Sequence, residues 1–138
     1  MFRYLRLKRK HSCHFSADIT FRNKCLSLIE NASRQLKLDL SWCGQLTDVS
    51  ALGHVHTLDL SRCGQLRDVR ALGCVHTLDL SGCSQLRDVS ALGHVHNLDS
   101  SYCDQLTDVS ALDNVYTLNL IGCQMLTKYR ELLNSLKF

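Results

Sequence analysis

There is no proline anywhere in this 138-residue chain. The commonest breaker is missing from every loop, so turns must be made by Gly, Ser, Asp and Asn instead. Long apolar runs are missing too. No stretch approaches the roughly 18 to 20 apolar residues that a membrane-crossing helix needs. The opening MFRYLRLKRK mixes charge into its apolar positions. It lacks the apolar run of roughly 7–15 residues that follows the basic head of a secretory signal, so the expected compartment is the cytoplasm. Nor is there a nucleophile elbow, a phosphate loop or a paired metal-ligand motif. The expectation is therefore of no enzyme, no cofactor and no resident metal.

What is present is ordinary in bulk and uneven in distribution. With 45% hydrophobic and 21% charged residues the chain is neither disordered nor fibrous by composition. The net charge of +3 divides sharply: residues 1–37 hold nine basic and two acidic groups, residues 38–138 seven basic and eleven acidic. Eight cysteines in a chain expected in the cytoplasm are expected to be thiols.

Residues 38–117 are four nearly identical blocks of twenty: LDLSWCGQLTDVSALGHVHT, LDLSRCGQLRDVRALGCVHT, LDLSGCSQLRDVSALGHVHN and LDSSYCDQLTDVSALDNVYT. A degraded fifth, LNLIGCQMLTKYRELLNSLKF, runs from Leu118 to Phe138. In the second block the apolar set is Val55, Leu58, Leu60, Cys63, Leu66, Val69 and Leu72. Leu58 and Leu60 alternate with Asp59, as in a strand, and spacings near three follow. One such coil cannot enclose its own apolar side chains, so it gains stability only by stacking on the next.

The arrangement Val-x-x-Leu-x-Leu-x-x-Cys-x-x-Leu, from Val55 to Leu66, resembles the leucine-rich repeat, and the resemblance covers residues 38–138. Cysteine in place of asparagine resembles the cysteine-containing subclass, and Asp-Val-Ser-Ala-Leu the short-repeat subclass. The unit Ser-Ala-Leu-Gly-His-Val-His-Thr-Leu-Asp-Leu-Ser is similar to repeat proteins of large DNA viruses of protists, which would make the cytoplasm a host's. The resemblance implies an α/β solenoid with a parallel β-sheet on the concave face and short helical turns on the convex face. It also implies a role in recognising other proteins.

The expected organisation is a basic mobile arm over 1–14, then a degenerate first repeat or N-terminal cap over 15–37. Four repeats follow over 38–117, then a fifth, degenerate one over 118–138 that ends in a capping helix. Leu132, Leu133 and Leu136 supply the helical spacing of that cap. Lys8-Arg9-Lys10 reads as a solvated tail in preference to a nuclear-import or nucleic-acid contact, so no nucleic acid is expected as a partner.

Residues recurring every twenty positions become rows once the coils stack. Cys43, Cys63, Cys83, Cys103 and Cys123 read as a structural row of small apolar fillers whose S–H groups can serve backbone carbonyls. Zinc normally wants pairs at C-x2-4-C rather than thiols twenty apart. Asp48, Asp68, Asp88 and Asp108 precede the expected helical turns and read as N-caps. Asp39, Asp59, Asp79 and Asp99, ending in Asn119, fall between inward positions and therefore line the concave face, with like charges about 5 Å apart. A basic partner would relieve that repulsion.

His54 and His56, Cys74 and His76, and His94 and His96 form a further series that Tyr116 ends. What varies between copies is Trp42, Arg62, Gly82, Tyr102 and Gly122, near the concave rim, where Trp, Arg and Tyr are the types that dominate interface energy. The function expected from these rows is a non-catalytic protein-interaction module, monomeric and away from membranes. It would bind a partner with basic groups through Asp39, Asp59, Asp79, Asp99, Trp42, Arg62 and Tyr102. The alternative is a metal-binding or redox-sensitive repeat protein using the His and Cys rows.

Overall fold

The computed structural model describes residues 3–6, 18, 20, 23, 24, 27 and 36–126. Between one strand and the next, an inward position recurs at every third residue: Leu60, Cys63, Leu66, Val69, Leu72, Val75 and Leu78, none more than 1% exposed. Three is the period of a 3-10 turn, and the backbone bonds follow it. Cys63 N–H donates to Leu60 O at 3.2 Å, Leu66 to Cys63 at 3.1 Å, Leu72 to Val69 at 2.9 Å and Val75 to Leu72 at 3.0 Å. A coil is thus a series of tight turns closed by a short strand, Thr57-Leu58-Asp59, across which the inward spacing falls to two, from Leu58 to Leu60. The turns tighten into 3-10 helix at Ser50–Leu52, Arg70–Leu72, Ser90–Leu92 and Ser110–Leu112.

The strands are β1 (Arg3–Arg6), β2 (Leu36–Asp39), β3 (Thr57–Asp59), β4 (Thr77–Asp79), β5 (Asn97–Asp99) and β6 (Thr117–Asn119). They form one parallel sheet in sequence order. Leu38, Leu58, Leu78, Leu98 and Leu118 stand side by side in it, and so do Asp39, Asp59, Asp79, Asp99 and Asn119. The ladder runs on past the strands, with Leu60 N–H donating to Asp79 O at 2.8 Å and Arg62 N–H to Ser81 O at 2.7 Å. The inward side chains make one continuous buried cluster from Leu36 to Cys123, each large one contributing about 1.5–3 kcal/mol. The molecule is a solenoid-like repeat, with a sheet along one side and 3-10 turns along the other.

On the 3-10 side the coils come close enough to restrict sequence. A Cβ built on Gly73 would lie 2.6 Å from the Ala91 carbonyl oxygen. Glycine recurs here because backbone of the next coil occupies the space a side chain would need.

Two departures from the sequence reading concern the start of the chain and the caps. Arg3–Arg6, placed by sequence in a mobile arm, form β1 and pair with β2, with Leu5 beside Leu38. Tyr4-Leu5-Arg6-Leu7 carries the same Leu-x-Leu alternation as the repeats. A spacing of 33 residues rather than twenty hides it from a search at the repeat period. The rest of the arm, most of the expected first repeat and the helix expected over 127–138 lie outside the described residues, although 124–126 are helical where these end.

The carboxylates of the 3-10 side accept the backbone N–H two residues on: Ser50 to Asp48 at 3.0 Å, Arg70 to Asp68 at 3.0 Å, Ser90 to Asp88 at 2.8 Å and Ser110 to Asp108 at 2.9 Å. They were expected at the N-cap position. They stand one residue earlier, since Val49, Val69, Val89 and Val109 occupy the cap with φ between −119° and −128°. The bond to the first helical amide is made from that earlier place. Bonding to Arg70 holds the Asp68 carboxyl at about 2, and bonding to Ser90 and Ser110 lowers Asp88 and Asp108.

Candidate functional site

The outward face of the sheet carries the carboxylate row, and each carboxylate has a backbone task. Oδ1 of Asp39, Asp59, Asp79 and Asp99 accepts the N–H of Ser41, Ser61, Ser81 and Ser101 at 3.0, 2.9, 2.8 and 2.9 Å. Asn119 Oδ1 does the same for Ile121 at 3.1 Å, and its Nδ2 donates to Asp99 Oδ2 at 2.9 Å. These are Asx turns, in which a side-chain oxygen replaces a backbone acceptor. The row of like charge is therefore tied down by amide dipoles, one per coil.

The Asx turn delivers the chain into the left-handed region one residue later. Trp42, Arg62 and Tyr102 have φ of 63°, 59° and 57°, and Gly82 and Gly122 have φ of 72° and 77°. For an L-residue with a side chain that conformation costs roughly 1–2 kcal/mol, whereas glycine adopts it freely. Sequence reasoning identified these five as the variable position but missed their backbone, for which glycine at two of the five places is the available signal. Trp42 is 54% and Tyr102 61% exposed. The Arg62 guanidinium lies over the Trp42 ring, 4.7 Å from its centroid.

At the strand entry the histidines separate into two sets. His56, His76, His96 and Tyr116 form a column of rings with centroids 4.6, 4.7 and 4.8 Å apart. Tyr116 ends the series as a row of imidazoles but continues it as a row of rings. His54, Cys74 and His94, two residues earlier, are exposed. The first and last contacts are stacked, with planes 13° and 5° apart, and the His76–His96 pair is tilted by 31°. Among the described residues no group of three His, Cys, Asp or Glu side chains could hold a metal ion.

The cysteine row is buried and points its thiols at the preceding coil. Sγ of Cys63, Cys83, Cys103 and Cys123 donates to the carbonyl of Leu40, Leu60, Leu80 and Ser100 at 3.4, 3.3, 3.2 and 3.1 Å. Hydrogen bonding to Cys43, with burial, pushes the Cys63 thiol up; burial pushes Cys83 and Cys103 up to about 12 and raises Cys123. The thiolate, which is the form that ligates metal or attacks a disulfide, is thereby disfavoured at neutral pH.

No family model, curated protein or solved structure matches the chain. Of the residues expected to bind, all four aspartates and all three of Trp42, Arg62 and Tyr102 lie along one sheet, the former at the strand ends and the latter three residues further on.

His56, at the start of the ring column, should make the fold sensitive to acid. Burial, then the neighbouring His76 and Lys37, lower the pKa of His56, whose Nδ1 lies 3.1 Å from Thr57 Oγ1. Below about pH 6.5 the unfolded chain takes up the proton that folded His56 resists, so stability falls as pH drops through that value. Replacing His56 with tyrosine, as Tyr116 already stacks on His96 with planes 5° apart, should flatten this fall. The measurement is the urea midpoint at about pH 7.5 and about pH 5.5; an equal drop in both proteins would show that His56 is not the sensor.

Proposed function

We propose that this chain is a leucine-rich-repeat binding module of the cysteine-containing, short-repeat type that holds another protein against its sheet face. That face is the concave one and the 3-10 turns form the convex one. The module is non-catalytic and monomeric, works in the cytoplasm, and takes a protein partner with basic groups rather than a nucleic acid.

The observation that carries this reading is the cost accepted at the sheet's exit edge. Glycine would satisfy the left-handed backbone at every coil, and two coils use it. Three coils instead hold Trp42, Arg62 and Tyr102 there, mostly exposed, at roughly 1–2 kcal/mol each. Backbone strain of this kind clusters at ligand clamps, and these are the three residue types most enriched among interface anchors. The carboxylate row beside them supplies the charge that favours a basic partner and repels a polyanion.

A pull-down from the cell that makes the protein tests this. Trp42→Gly with Tyr102→Gly should leave stability unchanged or up to about 2–4 kcal/mol higher, because the strain is relieved at both positions. The captured partner should fall by at least about thirtyfold, the loss expected of a hot spot. Asp59→Asn with Asp79→Asn removes charge while keeping the Asx oxygen, as Asn119 does, and should weaken capture in a salt-dependent way. If both variants retain the same captured proteins, the face is not a binding surface.

A further inference from the structure

The exit-edge side chains each lean towards the following coil. The Trp42 ring reaches the Arg62 guanidinium. The Arg62 stem leans against Gly82, where an added Cβ would come within 3.3 Å of its Cγ, and the Tyr102 ring lies over Gly122, where an added Cβ would collide with it. Flat groups therefore stand at 42, 62 and 102, and none stands at 82. Arg62 leans into that place and Tyr102 leans out of it by the same step, so the two remain about two strand steps apart.

The result is a cleft of about 340 Å³ lined by Arg62, Ser81, Gly82, Ser101 and Tyr102. Its width follows from the sheet. Neighbouring strands lie about 4.8 Å apart, so two steps span about 9.6 Å. At the entry edge of this same sheet, rings stack one per coil at 4.6 to 4.8 Å. A gap of two steps thus has room for one flat ring with a stacking distance on either side.

We propose that the gap at Gly82 receives one planar aromatic side chain of a partner protein, inserted between the Arg62 guanidinium and the Tyr102 ring. The inserted ring would offer one face to a cation, as Trp42 does to Arg62, and the other to a second ring. The neighbouring carboxylates decide between a side chain and a nucleobase. Asp79 and Asp99 belong to the strands on which Gly82 and Tyr102 follow, so a phosphate attached to the base would meet like charge. Lysine or arginine flanking an aromatic residue would meet opposite charge.

This deepens the proposed function and rests on it, so the test reads a defined probe rather than captured protein. Isotope-labelled full-length chain is titrated with N-acetyl-tryptophanamide, with Lys-Trp-Lys and Glu-Trp-Glu peptides, and with adenosine monophosphate, following backbone amide resonances. Expected are shifts centred on Gly82 and Tyr102, with Lys-Trp-Lys the tightest ligand. Tyr102→Gly and Gly82→Asn should each weaken it by about three- to tenfold, the loss of one ring contact. Asparagine is chosen because it tolerates positive φ while filling the gap. Absence of shifts at Gly82 with millimolar probe, shifts centred elsewhere, or tighter binding of the nucleotide would each overturn the proposal. A silent probe alongside lost capture in Trp42→Gly/Tyr102→Gly would sink the gap and leave the face standing, and the opposite pattern would do the reverse.

Discussion

Replacing Ser100 with leucine should raise the stability of the repeat by about 2–4 kcal/mol, combining a buried leucine with removal of an unpaired hydroxyl. Ser100 occupies the inward position held by Leu40, Leu60 and Leu80, and like them it is fully buried. Its Oγ has no hydrogen-bond partner. The backbone around it is that of the leucine coils: Ser100 N–H donates to Asn119 O at 2.9 Å, and its carbonyl accepts the Cys123 thiol at 3.1 Å, as Leu80 accepts that of Cys103 at 3.2 Å. A leucine there would pack between Leu80 and the partly buried Leu120, as Leu60 packs between Leu40 and Leu80. The check is a rise in denaturant midpoint with an unchanged slope. No rise, or a fall, would mean that the core has closed around the serine and that leucine overpacks it.

The inward set could be read from sequence because it is repeated at one spacing. Leu60, Cys63, Leu66, Val69 and Leu72 are three apart, and any chain that hides them must turn once per step. The carboxylates could be read as rows for the same reason. Their hydrogen bonds could not, since an aspartate that serves an amide two residues on is spelled the same as one facing solvent. That ambiguity put Asp48, Asp68, Asp88 and Asp108 one position from their place, and for Asp39, Asp59, Asp79 and Asp99 it left a solvated or locally hydrogen-bonded row and a binding row both open. The left-handed backbone at Trp42, Arg62 and Tyr102 was hidden for a different reason: these residues have no preference for it, and it is imposed by the turn before them. β1 escaped because its distance from β2 is not the repeat length, although Leu5-Arg6-Leu7 has the repeat's alternation.

The converse of the first substitution reaches further than its own site. Leu80 is fully buried between Leu60 and the Ser100 position, so Leu80→Ser would place two serine rungs side by side in the middle of the array. A buried leucine cut to a small residue costs about 2–5 kcal/mol, and the stranded hydroxyl adds about 1–3 kcal/mol. Because each coil is stabilised by its two neighbours and by little else, that loss falls on the joints between β3, β4 and β5. The coils on either side should then unfold separately, with a lower midpoint and a shallower slope than the parent shows. Combining Leu80→Ser with Ser100→Leu should recover less than the sum of the single effects, since the two side chains share a contact. A cost below about 1 kcal/mol for Leu80→Ser, the size of a surface change, would mean that this column of leucines does not hold the coils together, and the packing account of the repeat would fail with it.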